Sequence, residues 1–458
     1  MAQIHNLLNP KSIAIVGVPR RMNAGKIFLV ALKEQGFPGR IYPVHPEAQE
    51  IDGFKAYPTV TAIPGPVDLA IIQVPIHSTL EVVRECAAKG VKGAVLYTAG
   101  YKETGTDKGK EEEEELARFA RSSGMRIIGP NCMGFYVPKT GLSFFPQLSR
   151  DPGPVSIITH SGSLGNILCR IGPSKGLRFS KAVSLGNECD LSSADFLAYL
   201  GNDPETTVIG AYLEGIRKGP YFLEALKEAS LEKPVILWKS GLTPEGSKAA
   251  ASHTGALKGS REIWGGVIQQ TGAIPVEGFG VWVDTMMAFS MLPSRVGDRM
   301  AIISGPGGLA VSTAEACGRA WLRLAEISPQ TKEALAEFIP PTGTSLHNPI
   351  DVGLTASFDV NMYYEAARIV AADPGVDTIV VVGSGIDPET NRLYTEKIIQ
   401  IKNETKTPFV MVSIPGFDPT LAQTFCQAGI PFYETAEQAM NTYSRVLRYH
   451  LWRQERDL

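Results

Sequence analysis

The chain has few of the residues from which metal and redox sites are built. Its 458 residues include six cysteines, and no two of them are spaced as CxxC, so the sequence indicates neither a zinc site nor a disulfide framework. Only seven histidines are present, and none belongs to an HExxH motif. We therefore expect no bound metal, and we expect reduced thiols as in a cytoplasmic protein.

Long apolar segments and an excess of positive charge are missing as well. No uninterrupted apolar run reaches the roughly 20 residues that a membrane-spanning helix needs. The formal net charge is -3, so there is no basic field to attract nucleic acid or anionic lipid. The first residues, MAQIHNLLNPKSIAIVG, run into a strand pattern without the features of a secretion signal. We expect neither nucleic acid nor a membrane as a partner.

A strand, a glycine-bearing loop and a helix follow one another three times along the chain. The strand segments are SIAIVG (12–17), VSIITHSGSLG (155–165) and MAIISGPGGLA (300–310). Apolar, β-rich runs that alternate with helical patterns are typical of parallel sheets covered by helices. We predict an α/β protein with three consecutive Rossmann- or flavodoxin-like parallel-sheet domains, at residues 1–147, 148–292 and 293–458.

The first glycine loop lacks the features of a nicotinamide site. It reads GVPRRM (17–22), whereas a dinucleotide fingerprint requires GxGxxG. The next strand, RIYPV (40–44), is followed by His45 and offers no acid for a ribose hydroxyl, and no Walker A motif is present. The cations Arg20, Arg21 and Lys26 near a helix start favour a ligand with phosphates, although a solvated basic turn is the alternative.

Four segments resemble the CoA-binding domain of the ADP-forming acyl-CoA synthetases. They are YPVHPEAQEIDGFKAYPTV, PVDLAIIQVP, AGYKETG and RIIGPNCMGF, in that order. The resemblance implies that CoA is held at Gly17, Val18, Pro19, Arg20, Val74, Pro75, Thr98, Ala99 and Gly100, with Asn131 and Cys132 near the same crevice. At Pro19 the family usually has a small or polar residue, and at His45 an asparagine. Both departures would alter CoA contacts without abolishing them.

The segment GSKAAASHTGALKGS (246–260) consists mostly of small residues and contains one imidazole, His253. A stretch of this composition buries little side-chain surface, so we expect a loop that can move. Neutral imidazole is a good nucleophile near neutral pH. The string AAASHTGAL resembles the phosphohistidine loop of the same family, which implies that His253 carries a phosphoryl group during turnover.

A carboxylate is expected beside that histidine, to orient the ring and to stabilise its positive charge. The strand VIGAYLEG (208–215) ends at Glu214, and the carboxyl end of a strand is where α/β proteins place their sites. The resemblance implies that Glu214 has this role. Taken without the resemblance, a solvated acid at a strand end is an equal alternative.

Two glycine loops are candidates for binding the transferred phosphate. Ser161, Gly162 and Ser163 stand between a strand and a helix, where backbone N–H groups and the helix dipole attract anions. The family has Ser-Gln before this turn, whereas this chain has Thr159-His160, so His160 is a rival phosphoryl acceptor. A second such loop is formed by Gly307, Gly308 and Leu309.

The resemblance covers almost the whole chain and implies an ADP-forming acyl-CoA synthetase subunit. It would interconvert acyl-CoA, ADP and phosphate with a small carboxylic acid, CoA and ATP, through an acyl phosphate and phosphohistidine. No ATP-grasp module is present, so the resemblance implies an ATP-grasp beta subunit that holds ATP or ADP and Mg²⁺, in a heterotetramer with two copies of each chain. The alternatives are a nicotinamide-linked dehydrogenase, which the missing fingerprint disfavours, and a non-catalytic CoA-binding regulatory subunit. Which acid is used is not indicated.

Overall fold

The computed structural model describes residues 2–21, 23–254, 259–414 and 420–456, without the side chains of residues 24 and 251–254. The chain forms two compact units. The first comprises Met1–Ile171 and Arg178–Glu277, and the second comprises Gly172–Leu177 and Gly278–Leu458. Several parallel sheets with helices between their strands are present, which confirms the predicted α/β class. The boundaries of the three predicted domains stay a prediction.

The first unit begins with a five-stranded parallel sheet in the order β2-β1-β5-β6-β7. Its strands, with the small hairpin β3–β4, are β1 Ser12–Val16, β2 Arg40–Val44, β3 Glu50–Ile51, β4 Phe54–Lys55, β5 Leu69–Ile72, β6 Gly93–Leu96 and β7 Arg126–Ile128. Strands β1, β5 and β6 are buried along their whole length because helices cover the sheet on both faces. The chain reverses its winding between β1 and β5, and ligands of such sheets bind at this point.

A second sheet of the same unit has six strands in the order β13-β12-β11-β9-β10-β8. They are β8 Gly134–Tyr136, β9 Pro152–Thr159, β10 Phe179–Ser184, β11 Val208–Leu213, β12 Val235–Lys239 and β13 Ile274–Pro275. All pairs are parallel except β8 with β10. The winding reverses between β9 and β11, so the residues after these two strands, His160 and Glu214, face the same crevice edge.

The second unit contains a third sheet, in the order β15-β14-β17-β18-β19, with β16 also paired to β14. Its strands are β14 Arg299–Ser304, β15 Arg323–Leu324, β16 Ile350–Asp351, β17 Thr378–Val382, β18 Phe409–Val412 and β19 Phe432–Tyr433. All of its pairs are parallel. The Gly307 loop follows β14, where the winding of this sheet reverses towards β17.

The helices connect consecutive strands, as parallel pairing requires. In the first unit they are α1 Ala2–Leu8, α2 Ile27–Gln35, α3 Ile76–Ala88, α4 Asp107–Ser123, α5 Gly162–Ile171, α6 Ser193–Gly201, α7 Gly219–Glu232, α8 Pro244–Thr254 and α9 Arg261–Thr271. In the second unit they are α10 Phe279–Met291, α11 Gly307–Arg319, α12 Pro329–Ala336, α13 Asn361–Ala371, α14 Pro388–Glu404, α15 Thr420–Gln427 and α16 Ala436–Gln454. Short 3₁₀ turns occupy Ala24–Lys26, Lys102–Thr104, Pro138–Thr140, Gly172–Lys175 and Leu354–Ser357. None of the helices in the described ranges has the length and apolar character that crossing a membrane requires.

A buried lysine anchors the second sheet at the amino ends of its strands. The Lys181 side chain on β10 is 2% exposed, and its Nζ lies 2.7 Å from Asp203 and 2.8 Å from Glu205. Three hydroxyl groups, of Ser156, Ser180 and Thr206, close the network around them. Such a pair is costly to break because the remaining charge stays buried without a partner.

We therefore expect Lys181→Met to destabilise the protein by about 3–5 kcal/mol. The matched control is Lys139→Met, since Lys139 also pairs with Glu205 but is 65% exposed, and a solvent-exposed pair contributes under about 1 kcal/mol. Urea unfolding followed by far-ultraviolet circular dichroism measures both. Equal midpoints for the two variants would contradict the anchoring role of Lys181.

Candidate functional site

A cleft of about 560 Å³ lies in the first unit, at the carboxyl ends of strands from both of its sheets. It brings together six residues predicted to hold CoA with three predicted to bind phosphate. The predicted residues that line it are Val74, Pro75, Thr98, Ala99, Asn131, Cys132, Ser161, Gly162 and Ser163. Four further lining residues were not predicted: Gln73, Tyr97 and Met133, which each adjoin a predicted residue, and Gly186, which follows β10. His160 also lines the cleft.

The wall from the first sheet is held by loop-to-loop contacts. Thr98 Oγ1 donates to the carbonyl oxygen of Val74 at 2.7 Å, which fixes the loop after β6 against the loop after β5. Asn131 has a left-handed backbone conformation with φ 59°. The neighbouring Cys132 thiol is buried, and burial raises its pKa to about 12, so it stays protonated and does not act as a nucleophile.

The first glycine loop lies directly behind this wall. Gly17 has φ 88°, and a Cβ there would approach the Gln73 carbonyl oxygen to 3.1 Å, so the position favours glycine. Val18 is buried, whereas Arg20 is exposed and pairs with Glu47 at 3.4 Å. Arg20 and the neighbouring Arg21 are both exposed, so the charges of both can reach a ligand in solvent.

The Lys26 charge is not available to a phosphate, contrary to the expectation for this cationic loop. Its side chain is buried, and its Nζ donates to the Arg20 carbonyl oxygen at 2.9 Å and pairs with Asp52 at 2.7 Å. The sequence could not show this, because Asp52 comes from the separate β3–β4 hairpin. Lys26 stabilises the loop instead of offering its charge to a ligand.

Gly100 lies next to the cleft residue Ala99 without lining the cleft, whereas Gln73 is part of the cleft wall. Gly100 has φ 115°, and its N–H donates to Glu103 Oε1 at 2.6 Å, which holds the loop after β6 in place. The side-chain amide nitrogen and oxygen of Gln73 are both buried and have no hydrogen-bond partner among the described residues. An unpaired amide in a cleft wall is suited to a polar ligand.

The phosphate side of the cleft is the amino terminus of helix α5. Ser161 Oγ accepts a hydrogen bond from the Leu164 N–H at 3.3 Å and thus caps the helix. Gly162 must be small, since a Cβ there would lie 2.5 Å from Met133 Cγ. The Ser161 N–H donates to Thr159 Oγ1 at 3.1 Å, so the groups at this helix start that remain for an anion are the N–H groups of Gly162 and Ser163, both of which line the cleft.

His160 and Glu214 are adjacent across the second sheet. The Glu214 N–H donates to His160 Nδ1 at 3.1 Å, and His160 Nε2 lies 2.9 Å from Glu188 Oε1. Glu214 is itself buried, with its Oε1 accepting a hydrogen bond from the Tyr212 hydroxyl at 3.2 Å. Both ring nitrogens of His160 are thus engaged with protein groups.

Glu188 is the partner that the sequence analysis missed. Burial raises the pKa of its carboxyl, but His160 and Ser193 more than offset this, so the pKa lies below the ordinary value for glutamate. The Ser193 N–H donates to its Oε1 at 2.6 Å. The sequence signal for a functional role of Glu188 was its position in SLGNE, just after β10. Its pairing with His160 could not be predicted, because it depends on how the two segments meet in the fold.

The His253 side chain lies outside the part of the molecule that the structure describes. The backbone of Pro244–Thr254 forms helix α8. The expectation of a loop is therefore wrong for residues 246–254, because an alanine-rich run has the highest helix propensity. At the start of this segment, Lys239 donates to the Glu214 carbonyl oxygen at 2.9 Å, and burial lowers the pKa of Lys239.

The second predicted phosphate loop lies in the second unit and is described there by itself. Gly307 begins helix α11, and Gly308 and Leu309 form its first turn. A Cβ on Gly307 would lie 2.6 Å from Asp351 Oδ2, so this helix start also depends on glycine. In the described ranges no group of three or more His, Cys, Asp or Glu side chains could hold a metal ion.

Three family models match consecutive parts of the chain. They are a CoA binding domain at residues 11–138, a succinyl-CoA ligase-like flavodoxin domain at residues 152–289 and a ligase-CoA domain at residues 300–403. The match places the cleft within the first two of these regions. The fold and the cleft therefore define a CoA ligase of the succinyl-CoA ligase type.

Relatives of the full chain give the family. The alpha subunits of acetate–CoA ligase (ADP-forming) II and I from Pyrococcus furiosus are 36% and 35% identical, over 94% and 98% of both chains. Dinucleotide forming acetyl-coenzyme A synthetase 1 from Candidatus Korarchaeum cryptofilum, solved with phosphate and ADP, matches with a TM-score of 0.89 and 31% identity, over 100% of this chain and 99% of that chain. The chain belongs to the ADP-forming acetate–CoA ligase family. Membership confirms the predicted class of acid–CoA ligase over the non-catalytic alternative.

Proposed function

We propose that this chain is the CoA-binding, phosphoryl-carrying subunit of an ADP-forming acid–CoA ligase. It interconverts acyl-CoA, ADP and phosphate with a carboxylic acid, CoA and ATP. The observation that carries the proposal is the cleft in which predicted CoA contacts of the first sheet meet the amino terminus of α5. A thioester and a phosphate would share this space. The relatives are named for acetate, so we propose a small carboxylic acid as substrate.

CoA is proposed to lie along the loops after β1, β5, β6 and β7. The contacts are those implied by the sequence, at Gly17, Val18, Pro19, Arg20, Val74, Pro75, Thr98, Ala99, Gly100, Asn131 and Cys132. To these we add Gln73, whose unpaired amide lies in the cleft wall. The exposed Arg20 would meet the phosphates of CoA, and the buried end of the cleft would hold the thioester.

The first chemical step is attack by phosphate on the thioester. A phosphate oxygen bonds to the acyl carbon, the carbon–sulfur bond breaks, and CoA leaves as a thiolate that takes a proton. The N–H groups of Gly162 and Ser163 at the start of α5 would neutralise the charge of the phosphate, and Ser161, whose N–H is bound to Thr159 Oγ1, would offer its hydroxyl. Gly307, Gly308 and Leu309 are proposed as a second set of such donors.

The second step transfers the phosphoryl group to His253. An imidazole nitrogen bonds to phosphorus, and the bond from phosphorus to the acyl oxygen breaks, so the free carboxylate leaves. Glu214 is proposed to orient the ring and stabilise its positive charge. His160 is disfavoured as the acceptor, since Nδ1 accepts from Glu214 N–H and Nε2 meets Glu188.

The third step takes place with a partner. An oxygen of the ADP β-phosphate bonds to phosphorus, the nitrogen–phosphorus bond breaks, and ATP is formed. We propose that an ATP-grasp beta subunit binds ADP or ATP with Mg²⁺, in a heterotetramer with two copies of each chain. The name "subunit alpha" of the relatives supports a partner.

All six cysteines are buried free thiols, which accords with a cytoplasmic location.

The proposal is tested by product analysis on the reconstituted complex. The chain and an ATP-grasp partner, incubated with ATP, Mg²⁺, CoA and a panel of short carboxylic acids, are expected to give a thioester, ADP and phosphate in equal amounts. The partner alone is the control and should give no thioester. AMP and pyrophosphate as products, or CoA binding without any thioester, would refute the ligase assignment for this chain.

A further inference from the structure

His160 lines the active cleft but has no part in the chemistry proposed above. It follows strand β9 and lines the cleft. Its side chain contacts Glu214, which follows the neighbouring strand β11, and Glu188, which comes after the neighbouring strand β10. Its own N–H donates to the Tyr212 carbonyl oxygen at 3.1 Å. The residue therefore joins three strand ends at the place where the winding of the sheet reverses.

The hydrogen bonds determine the protonation of the ring. A backbone N–H can only donate, so Nδ1 of His160 must accept from Glu214 and carries no proton. A neutral imidazole then has its proton on Nε2, which donates to Glu188 Oε1 at 2.9 Å. A proton on Nδ1 would point at the Glu214 N–H, and the two donors would repel each other. The two contacts match the Nε2–H tautomer of His160.

Glu188 is itself held in an uncommon backbone conformation. Its φ is 57°, in the left-handed region that residues with a side chain rarely adopt. The preceding Gly186 has φ 55°, and a Cβ there would overlap the carbonyl oxygens of Pro130 and Asn131. The turn is therefore fitted tightly against the loop that follows β7. The strained turn holds the Glu188 carboxylate against Nε2 of His160, and His160 lines the cleft.

The same turn is bonded to the CoA side of the cleft. Asn187 Nδ2 donates to Glu103 Oε2 at 2.6 Å and to Glu113 Oε2 at 2.8 Å. The other oxygen of Glu103 accepts from the N–H of Gly100, in the loop predicted to hold CoA. Arg217 Nη1 donates to the Glu188 carbonyl oxygen at 2.5 Å, so the turn is fixed from both sides. His160 thus connects Glu214 to a rigid turn, not to a mobile surface loop.

We propose that His160 is a positioning residue of the phosphoryl-transfer site: held by Glu188, it fixes the peptide N–H of Glu214 and thereby the direction of the Glu214 carboxylate. This role rests on the proposed function, because it assumes that Glu214 orients the phosphoryl acceptor. Glutamine is the conservative replacement for the histidine at this position. Its amide also offers one acceptor and one donor, so it can replace both contacts of the neutral imidazole.

The experiment uses the full chain with its ATP-grasp partner and three variants. His160→Leu removes both contacts, His160→Gln keeps an acceptor and a donor, and His160→Asn keeps the polarity but is too short to span both partners. We expect His160→Leu to slow single-turnover phosphorylation by about 100-fold, the loss typical of a misplacement by about 1 Å. His160→Gln should recover most of the rate, and His160→Asn should not.

Nitrogen-15 NMR of the wild-type chain gives an independent readout that needs no turnover. The His160 resonances should show a protonated Nε2 and an unprotonated Nδ1. A proton on Nδ1, wild-type rates in His160→Leu, or equal losses in His160→Gln and His160→Leu would each overturn the positioning role. If His160→Leu does not fold, the comparison of His160→Gln with His160→Asn decides in the same way. A wild-type chain with the expected tautomer but no phosphorylation would refute the proposed function, and with it the role in transfer.

Discussion

His253→Ala is expected to abolish the formation of ATP from acyl-CoA, ADP and phosphate, with a loss of about four orders of magnitude or more. A group that forms a covalent intermediate cannot be replaced by the rest of the site, and losses of this size are typical of such nucleophiles. The first step does not involve His253. The variant should therefore still convert acyl-CoA and phosphate to acyl phosphate, which hydroxylamine traps as a hydroxamate.

The matched control is His5→Ala, since His5 is an exposed histidine on α1, outside the cleft. It should form ATP at the wild-type rate. Loss of acyl phosphate formation together with ATP formation in His253→Ala would mean that His253 takes part in the first step or supports the fold. ATP formation at a substantial rate in His253→Ala would move the phosphoryl acceptor elsewhere.

Glu214→Gln is expected to slow phosphorylation of the chain by about 10²–10⁴-fold. Glutamine keeps the size of the side chain and can still accept from the Tyr212 hydroxyl, but it has no charge to stabilise a cationic ring. Losses of this range follow the removal of an orienting carboxylate from a catalytic histidine. Rapid-quench measurement of phosphoprotein formed from ATP with the partner subunit gives the rate.

Two variants separate the charge of Glu214 from its surroundings. Tyr212→Phe removes the hydroxyl that donates to the Glu214 carboxylate and should cost about 10- to 150-fold, since a hydrogen bond to a charged group contributes about 1.5–3 kcal/mol. Glu224→Gln removes an exposed carboxylate on α7 and should have no effect. A Glu214→Gln variant that is as fast as Glu224→Gln would show that Glu214 is only structural.

The strands and most of the cleft could be predicted because their signals are local. Each buried parallel strand appears as a short apolar run, and Ser12–Val16 and Arg299–Ser304 lie where SIAIVG and MAIISGPGGLA indicate. The carboxyl ends of such strands meet at one edge of a sheet, so Val74 after β5 and Thr98 after β6 share one wall of the cleft. Helix α8 was missed, because the preponderance of small residues was interpreted as a loop and the helix propensity of alanine was not weighed.

The pairing of charged groups could not be predicted, because the partners are distant in sequence. Lysine is a residue type that often binds phosphate, yet Asp52 of a separate hairpin pairs with the charge of Lys26. The sequence indicated His160 as a rival phosphoryl acceptor, yet both of its ring nitrogens are hydrogen-bonded, one to Glu188 and one to the backbone of Glu214. Which charge is free depends on how separate segments meet, and this is decided by the packing of the whole unit.

The central claim, that His253 carries the phosphoryl group, is tested most directly by locating that group. The chain is incubated with ATP, Mg²⁺ and its ATP-grasp partner, and the phosphorylated residue is identified by mass spectrometry under alkaline conditions, in parallel with His253→Ala. We predict one acid-labile phosphoryl group per chain on His253, discharged by acid and CoA, and none in His253→Ala. A phosphoryl group on His160, or none on any residue in the presence of an active partner, would contradict the account.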